Sequence, residues 1–304
     1  MMKMFMWTVA VALLLDAPWA MMFGRDPPPP RAGSLVRFAD KDGIARVGIM
    51  RSRWTAEVFA GESVLSPGES TGTLVQLAPE KLLSPLDARS VPAVYGIGCN
   101  YLGHCCRAGE KNCSGPTLPN PEHLTIFFKN RNTINRPYGD VPVPLGVNAT
   151  DYEAELGVVI GKDCKDVRAK DALECVHSYV ALNDVSNRWL QTTDNGQWSF
   201  SKSFDGHCPI GPGAVPKHLL GDGSGLGLRL LLNGNVKQSA NTSDLIFNVR
   251  KTIAFISKGT TIEKGTLIAM GTPPGTGQGI VQVGDEMCVE LDGVGSICSK
   301  VVQA

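Results

Sequence analysis

From residue 93 onward the chain is a succession of short apolar runs of strand length, with few helical patterns between them. The runs are Val94–Gly98, Glu155–Ile160, Tyr179–Leu182, Leu228–Leu232, Leu267–Met270, Glu286–Leu291 and Ile297–Val302. Asp166–Val176 and Asp244–Ser257 read as helices, the second with Asp244 as N-cap and Leu245, Phe247, Val249 and Ile253 beginning an apolar stripe. Many strands with two interspersed helices predict a mixed β (α+β) sheet or β-roll and argue against a doubly wound α/β fold.

Residues 34–92 read as a small β-rich N-terminal module. Leu35–Phe38 and Ile44–Ile49 flank Asp40-Lys41-Asp42-Gly43, a hairpin turn signal, and Thr55–Phe59 is a third strand. Ahead of it, residues 25–33 hold Pro27-Pro28-Pro29-Pro30, which reads as a stiff linker. Residues 1–24 place Lys3, the apolar run Phe5–Leu15 and small residues around Ala17 and Ala20 in the order of a secretory signal. The alternative is an upstream start codon, with Met21 or Met22 the true first residue. The run is shorter than the roughly 20 residues that span a bilayer, so no stable membrane span is expected.

Charge excludes another class. The 29 basic and 29 acidic side chains balance, and no Lys/Arg block exceeds two residues, so no nucleic-acid partner is expected. Nine cysteines without a Cys-x-x-Cys argue against a zinc ribbon or a thioredoxin-type site. They predict reduced thiols in a cytosolic or organellar protein. Gly157-Val158-Val159-Ile160-Gly161-Lys162 is one residue short of a phosphate loop, and Asp163 stands where Ser or Thr is required.

Five stretches carry chemistry. In Asp151-Tyr152-Glu153-Ala154-Glu155-Leu156 a strand puts Asp151, Glu153 and Glu155 on one face and Tyr152, Ala154 and Leu156 on the other. Like charges so placed repel, so either water or a cation must offset them. Ser178–Asp184 is an apolar strand that ends in a carboxylate and runs into Arg188 and Gln191. Three converging carboxylates, Glu153, Glu155 and Asp184, would suit a hard divalent cation. Lys202, between Phe200 and Phe204, reads either as a partly buried oxyanion donor or as a surface lysine over aromatics. Gly271-Thr272-Pro273-Pro274-Gly275 follows a strand and presents amides and the Thr272 hydroxyl, which suits a carboxylate; it also fits a plain turn. His104 follows a Gly-rich strand end, where it reads either as an acid/base or as a structural histidine.

In this order, Asn100-Tyr101-x-x-His104, Asp151-x-Glu153-x-Glu155-Leu156, Asn183-Asp184-x-Ser186-x-Arg188-x-x-Gln191, Lys202-Ser203-Phe204-Asp205 with Pro209-x-Gly211-Pro212, and Gly271-Thr272-Pro273-x-Gly275 resemble the motifs of the fumarylacetoacetate hydrolase superfamily. The resemblance covers roughly residues 93–304 and is greater to the fumarylacetoacetate hydrolase domain-containing proteins than to fumarylacetoacetase itself. It implies a fumarylacetoacetate hydrolase-type β-roll, a homodimer, and Mg²⁺ or Mn²⁺ on Glu153, Glu155 and Asp184. It also implies small-molecule 2-oxo or 1,3-dicarbonyl acids as substrates, of acylpyruvate or oxaloacetate type, whose enolate the cation stabilises. The reaction would be C–C bond hydrolysis, decarboxylation or keto–enol tautomerisation. Lys202 would hold an oxyanion, Arg188, Gln191 and Thr272 the substrate, and His104 would be the base. The implied location is cytoplasmic or mitochondrial.

One position departs from the family pattern. A Glu commonly stands three residues after the His, on a lid helix, as its partner in water activation. Here that residue is Arg107, and Glu110, six residues on, falls on a different helical face. The missing carboxylate weighs against hydrolysis more than against enolate chemistry. It also opens an alternative: a non-catalytic metal- or ligand-binding homologue with an impaired His104 dyad.

Overall fold

The computed structural model describes residues 27–101, 103–104, 106–107, 117–118, 123–147, 149–192, 196–277 and 281–304. The segment read as a secretory signal and Glu110 lie outside the described residues, as does the Arg107 side chain.

Strands in chain order are β1 Leu35–Ala39, β2 Ala45–Ser52, β3 Thr55–Phe59, β4 Ser70–Gln76, β5 Val94–Gly98, β6 Thr125–Lys129, β7 Val141–Val143, β8 Ala154–Ile160, β9 Val176–Asn183, β10 Cys208–Pro216, β11 Gly227–Leu232, β12 Asn235–Asn241, β13 Leu267–Ala269, β14 Glu286–Leu291 and β15 Gly295–Gln303. A twelve-stranded mixed sheet runs β4-β3-β2-β1-β10-β9-β8-β13-β5-β6, with two short strands beside it. A five-stranded sheet runs β7-β15-β14-β11-β12. The expected mixed β fold is what forms. The strands of residues 34–92 are hydrogen-bonded into the same sheet as the rest, through Leu35 opposite Ala214.

The core explains the placement of the charges. Tyr152, Ala154, Leu156, Val158 and Ile160 are buried with Leu228, Leu230, Met287, Val289 and Ile297 of the smaller sheet. Val159, Val180, Leu182, Leu267 and Ala269 belong to a second apolar cluster. Every residue of β8 is therefore buried. Such a strand reads as a near-continuous apolar run, as residues 156–160 do.

Two helix expectations need correction. Asp166–Val176 holds only a 3₁₀ turn, Ala172–Cys175. The chain there is tied at both ends: Asp166 sits at φ 51° and its amide donates to Ser257 O at 2.7 Å, and Cys164 and Cys175 are joined as a disulfide. The second helix is shorter, Val249–Ile256, capped by Asn248, whose side chain accepts from the Lys251 amide. Asp244 instead closes a capping box on the preceding 3₁₀ turn.

The expectation of reduced thiols is also corrected. Cys164–Cys175 and Cys288–Cys298 are disulfides, Cys99 is disulfide-bonded as well, and Cys208 is free and buried. Among the described residues no helix is long and apolar enough to cross a membrane.

Candidate active site

The ends of strands in the main sheet build the site. Glu153 and Glu155 lie at the start of β8, and Asp184 follows the end of its antiparallel neighbour β9. The Asp184 amide donates to Glu153 O at 2.8 Å, and the Glu153 amide donates to the Asn183 side chain at 3.0 Å. These backbone ties bring two carboxylates of distant sequence together. One oxygen from each of Glu153, Glu155 and Asp184 lies within 4.8 Å of the others, and all three residues are buried. The carboxylate face is thus buried rather than solvated.

Three cations face them. Lys202 is 1% exposed; its Nζ donates to Glu153 Oε2 at 2.6 Å and to Asp184 Oδ2 at 2.7 Å, 4.9 Å from the Phe127 ring centre. It is the buried donor, not the surface lysine. Lys129, at the end of β6, donates to Asp184 Oδ1 at 2.7 Å and to Val185 O at 3.2 Å. Arg188 reaches Asp151 Oδ2 and Glu153 Oε1, each at 2.7 Å, and donates to Gln191 Oε1 at 2.9 Å. Asp151 also accepts from the Gly277 amide.

Counting formal charges, four carboxylates face three cations, and the one left over is Glu155. Its Oε2 accepts the Gly271 amide at 2.7 Å, and no cationic side chain among the described residues pairs with it. Burial and then the charges of Asp184 and Glu153 push its carboxyl well above the usual range. Burial also raises Glu153, but Lys202 and Arg188 outweigh it and hold that carboxyl well below. Burial would pull Lys202 down; Asp184 and Glu153 hold it up, so it is charged. An uncompensated buried carboxylate is costly. The all-oxygen donor set and the charge deficit therefore fit a hard divalent cation such as Mg²⁺ or Mn²⁺.

Gly271 makes this arrangement possible. Its φ is 93°, and a Cβ there would stand 2.8 Å from Asn100 Cβ and 2.9 Å from Ile97 O. Only glycine brings that amide onto Glu155 without strain. Asn100 braces the turn from the other side, donating to Met270 O at 2.7 Å and Phe247 O at 3.0 Å.

The centre opens into a cavity of about 310 Å³ lined by His104, Glu153, Arg188, Gln191, Lys202 and Thr272, with Ile97, Phe127 and Trp198 as apolar wall. All eight residues singled out from the sequence thus lie in or beside one site. Thr272 differs in detail: its hydroxyl donates to Ala154 O at 3.0 Å and accepts from Gln238 at 2.8 Å. Burial pulls the His104 imidazole below its ordinary range, so it is neutral near pH 7 and can accept a proton. Cys106–Arg107 is extended and pairs in parallel with Thr117–Leu118, so helical spacing does not describe the chain just after His104. Lys129 and Gln238 were not singled out; a lone lysine ending Phe127-Phe128-Lys129 carries no signal beyond the alternation that puts it on the buried side of β6 with Phe127.

The class of site is thus a buried three-carboxylate cluster on a mixed sheet that could hold a metal ion, with a lysine across it and a histidine at its mouth. Residues 93–302 match the family model for the fumarylacetoacetate (FAA) hydrolase C-terminal domain. The chain belongs to the fumarylacetoacetate hydrolase family. It is 34% identical over 252 residues to oxaloacetate tautomerase fahd2, mitochondrial, of Xenopus laevis, covering 80% of this chain and 76% of that protein. It is 37% identical over 212 residues to the human oxaloacetate tautomerase FAHD2B, mitochondrial, covering 68% and 65%. Among solved structures, 5-carboxymethyl-2-hydroxymuconate delta-isomerase from Mycobacterium smegmatis superposes with a TM-score of 0.76 at 30% identity, over 89% of this chain and 100% of that one. A 2-hydroxyhepta-2,4-diene-1,7-dioate isomerase from Mycobacterium marinum gives 0.75 at 30%, over 90% and 99%.

Proposed function

We propose that this protein is a divalent-metal-dependent enzyme acting on small 2-oxo and 1,3-dicarbonyl acids, with tautomerisation or decarboxylation of an oxaloacetate-type substrate ahead of C–C hydrolysis. The observation that carries this reading is the buried Glu153, Glu155 and Asp184 cluster, one positive charge short, opening on a cavity with its own cationic wall. Bound Mg²⁺ or Mn²⁺ would supply a Lewis acid that stabilises enolate charge.

The protein's residues supply the rest. Arg188 and Gln191, hydrogen-bonded to each other on the cavity wall, orient the substrate carboxylate. Lys202 donates to the oxygen on which negative charge develops, in a site where water does not screen it. Neutral His104 takes or returns the proton. Thr272, fixed by Ala154 and Gln238, shapes the wall. Tautomerisation needs only a proton moved between carbon and oxygen, which this set can do without an activated water. The relatives named oxaloacetate tautomerase support this choice. A homodimer remains part of the reading. For location, the disulfides favour an oxidising compartment, in contrast to the mitochondrial names of those relatives.

The test is a substrate panel: enol-to-keto conversion of oxaloacetate, pyruvate formation from it, and acylpyruvate hydrolysis, each with Mg²⁺ and with EDTA. Metal-dependent enolate chemistry above hydrolysis is expected. No turnover in any assay, with Mn²⁺ still bound, would instead establish the non-catalytic binding homologue.

A further inference from the structure

Each carboxylate of the centre has one oxygen occupied by a fixed protein group. The Lys129 ammonium holds Asp184 Oδ1 at 2.7 Å, Arg188 holds Glu153 Oε1 at 2.7 Å, and the Gly271 amide holds Glu155 Oε2 at 2.7 Å. The second oxygens of Glu153 and Asp184 are bridged by Lys202. Of these holders, Lys129 has no other evident task. It does not line the cavity, its side chain is fully buried, and its second bond goes to the Val185 carbonyl. Its strand fixes it in place: Phe127 and Lys129 alternate inward on β6, while Thr125 and Phe128 are exposed.

The number of oxygens that a carboxylate can offer decides which cation a site takes. Mg²⁺ and Mn²⁺ suit octahedral sites, and Mg²⁺ tolerates little departure from them; Ca²⁺ is larger and takes six to eight oxygens, often with a carboxylate binding through both. With a cation in place of the Lys202 ammonium on Glu153 Oε2 and Asp184 Oδ2, the three carboxylates would offer one oxygen each and leave three positions for water or substrate, an octahedral set. A carboxylate released to bind through both oxygens moves the site toward Ca²⁺.

Resting on the metal reading above, we propose that Lys129 is a positioning residue that limits Asp184 to one ligand oxygen and so makes the centre select Mg²⁺ and Mn²⁺ over Ca²⁺. Replacing Lys129 frees Asp184 Oδ1, whereas Arg188 and Gly271 continue to hold the other two carboxylates. Deleting a positive charge strengthens the attraction for every divalent cation alike. The affinity for any single ion is therefore ambiguous, and the ratio between two ions of equal charge is the informative quantity.

The experiment measures Mn²⁺ and Ca²⁺ dissociation constants by calorimetry for the full chain as wild type, Lys129→Met and Lys129→Gln, with circular dichroism confirming the fold. Wild type is expected to prefer Mn²⁺ by about tenfold or more, and Lys129→Met to reduce that preference by about tenfold, with Lys129→Gln between them. A lysine that serves only the fold would lower the melting temperature and leave the ratio unchanged. A ratio within about twofold of wild type in either folded variant overturns the proposal while leaving the metal reading intact. Wild type binding Ca²⁺ as tightly as Mn²⁺ overturns it without recourse to a variant, which decides the matter if neither variant folds. Wild type binding neither ion removes the metal reading itself, and the proposal with it.

Discussion

At the scale of single residues, Lys202 is the group on which every proposed reaction branch depends. Lys202→Met removes the proposed oxyanion donor and leaves Glu153 and Asp184 without their shared counter-ion. A fall of about 10²–10³ in kcat is expected for tautomerisation, decarboxylation and hydrolysis together. Steady-state assays on the three substrates check this; a variant that lost only one activity would contradict the shared role. His207 gives a pH prediction. It is fully buried, its Nε2 donates to Pro142 O at 2.8 Å, and burial lowers its pKa to about 4 from an ordinary value near 6.5. The folded state thus favours the neutral ring. The resulting stability is complete above pH 6.5 and is lost as pH falls from there through 4, amounting to about 3 kcal/mol. Thermal melts between pH 7 and pH 4 should fall more steeply for wild type than for His207→Gln. Glu153, Glu155 and Asp184 were legible as residues because strand alternation and a carboxylate at a strand end are local patterns. That Glu155 is the carboxylate left without a cation was not, because it depends on lysines 26 and 47 residues away in sequence.

At the scale of elements, Cys288 and Cys298 are directly opposite on β14 and β15, and their disulfide ties together the hairpin that forms the middle of the smaller sheet. Cys298→Ser should cost about 2–4 kcal/mol. Denaturant unfolding of the oxidised protein and the variant checks this, and equal midpoints would show that the bond carries no stability. The stretch after His104 holds a second test. Arg107→Glu restores the carboxylate that the family pattern places there and should raise acylpyruvate hydrolysis by about 10-fold or more, with tautomerisation nearly unchanged. Wild-type hydrolysis at an ordinary enzymatic rate would instead show that the missing carboxylate is dispensable. Strands with a continuous apolar run, such as β8 and β9, were legible. β10 was not, because Pro209, Gly211, Pro212 and Gly213 hide a nine-residue strand behind residues that usually interrupt one. The misread helix at 166–176 failed because a disulfide and long-range backbone bonds override local helical preference.

At the scale of the whole molecule, the site exists because β8 sits between β9 and β13 in the sheet, with β5 and β6 beyond β13. That order, which no local pattern encodes, brings residues 100, 129, 153, 155, 184 and 271 together. The mixed β class was readable from the density of strand-length runs; the sheet order was not. The N-terminal pattern makes its own prediction: a fluorescent fusion carrying residues 1–30 should enter the secretory route if those residues are a signal, and a cytosolic or mitochondrial signal would contradict that. The central claim, that a divalent cation completes a buried centre one charge short, is tested most directly by melting the EDTA-treated protein with and without Mn²⁺. Cation binding should raise the melting temperature, by about 3 kcal/mol of added stability at 100 times the dissociation constant. Glu155→Ala should abolish the rise. Equal melting temperatures of the wild-type protein in EDTA and in saturating Mn²⁺ would contradict the account.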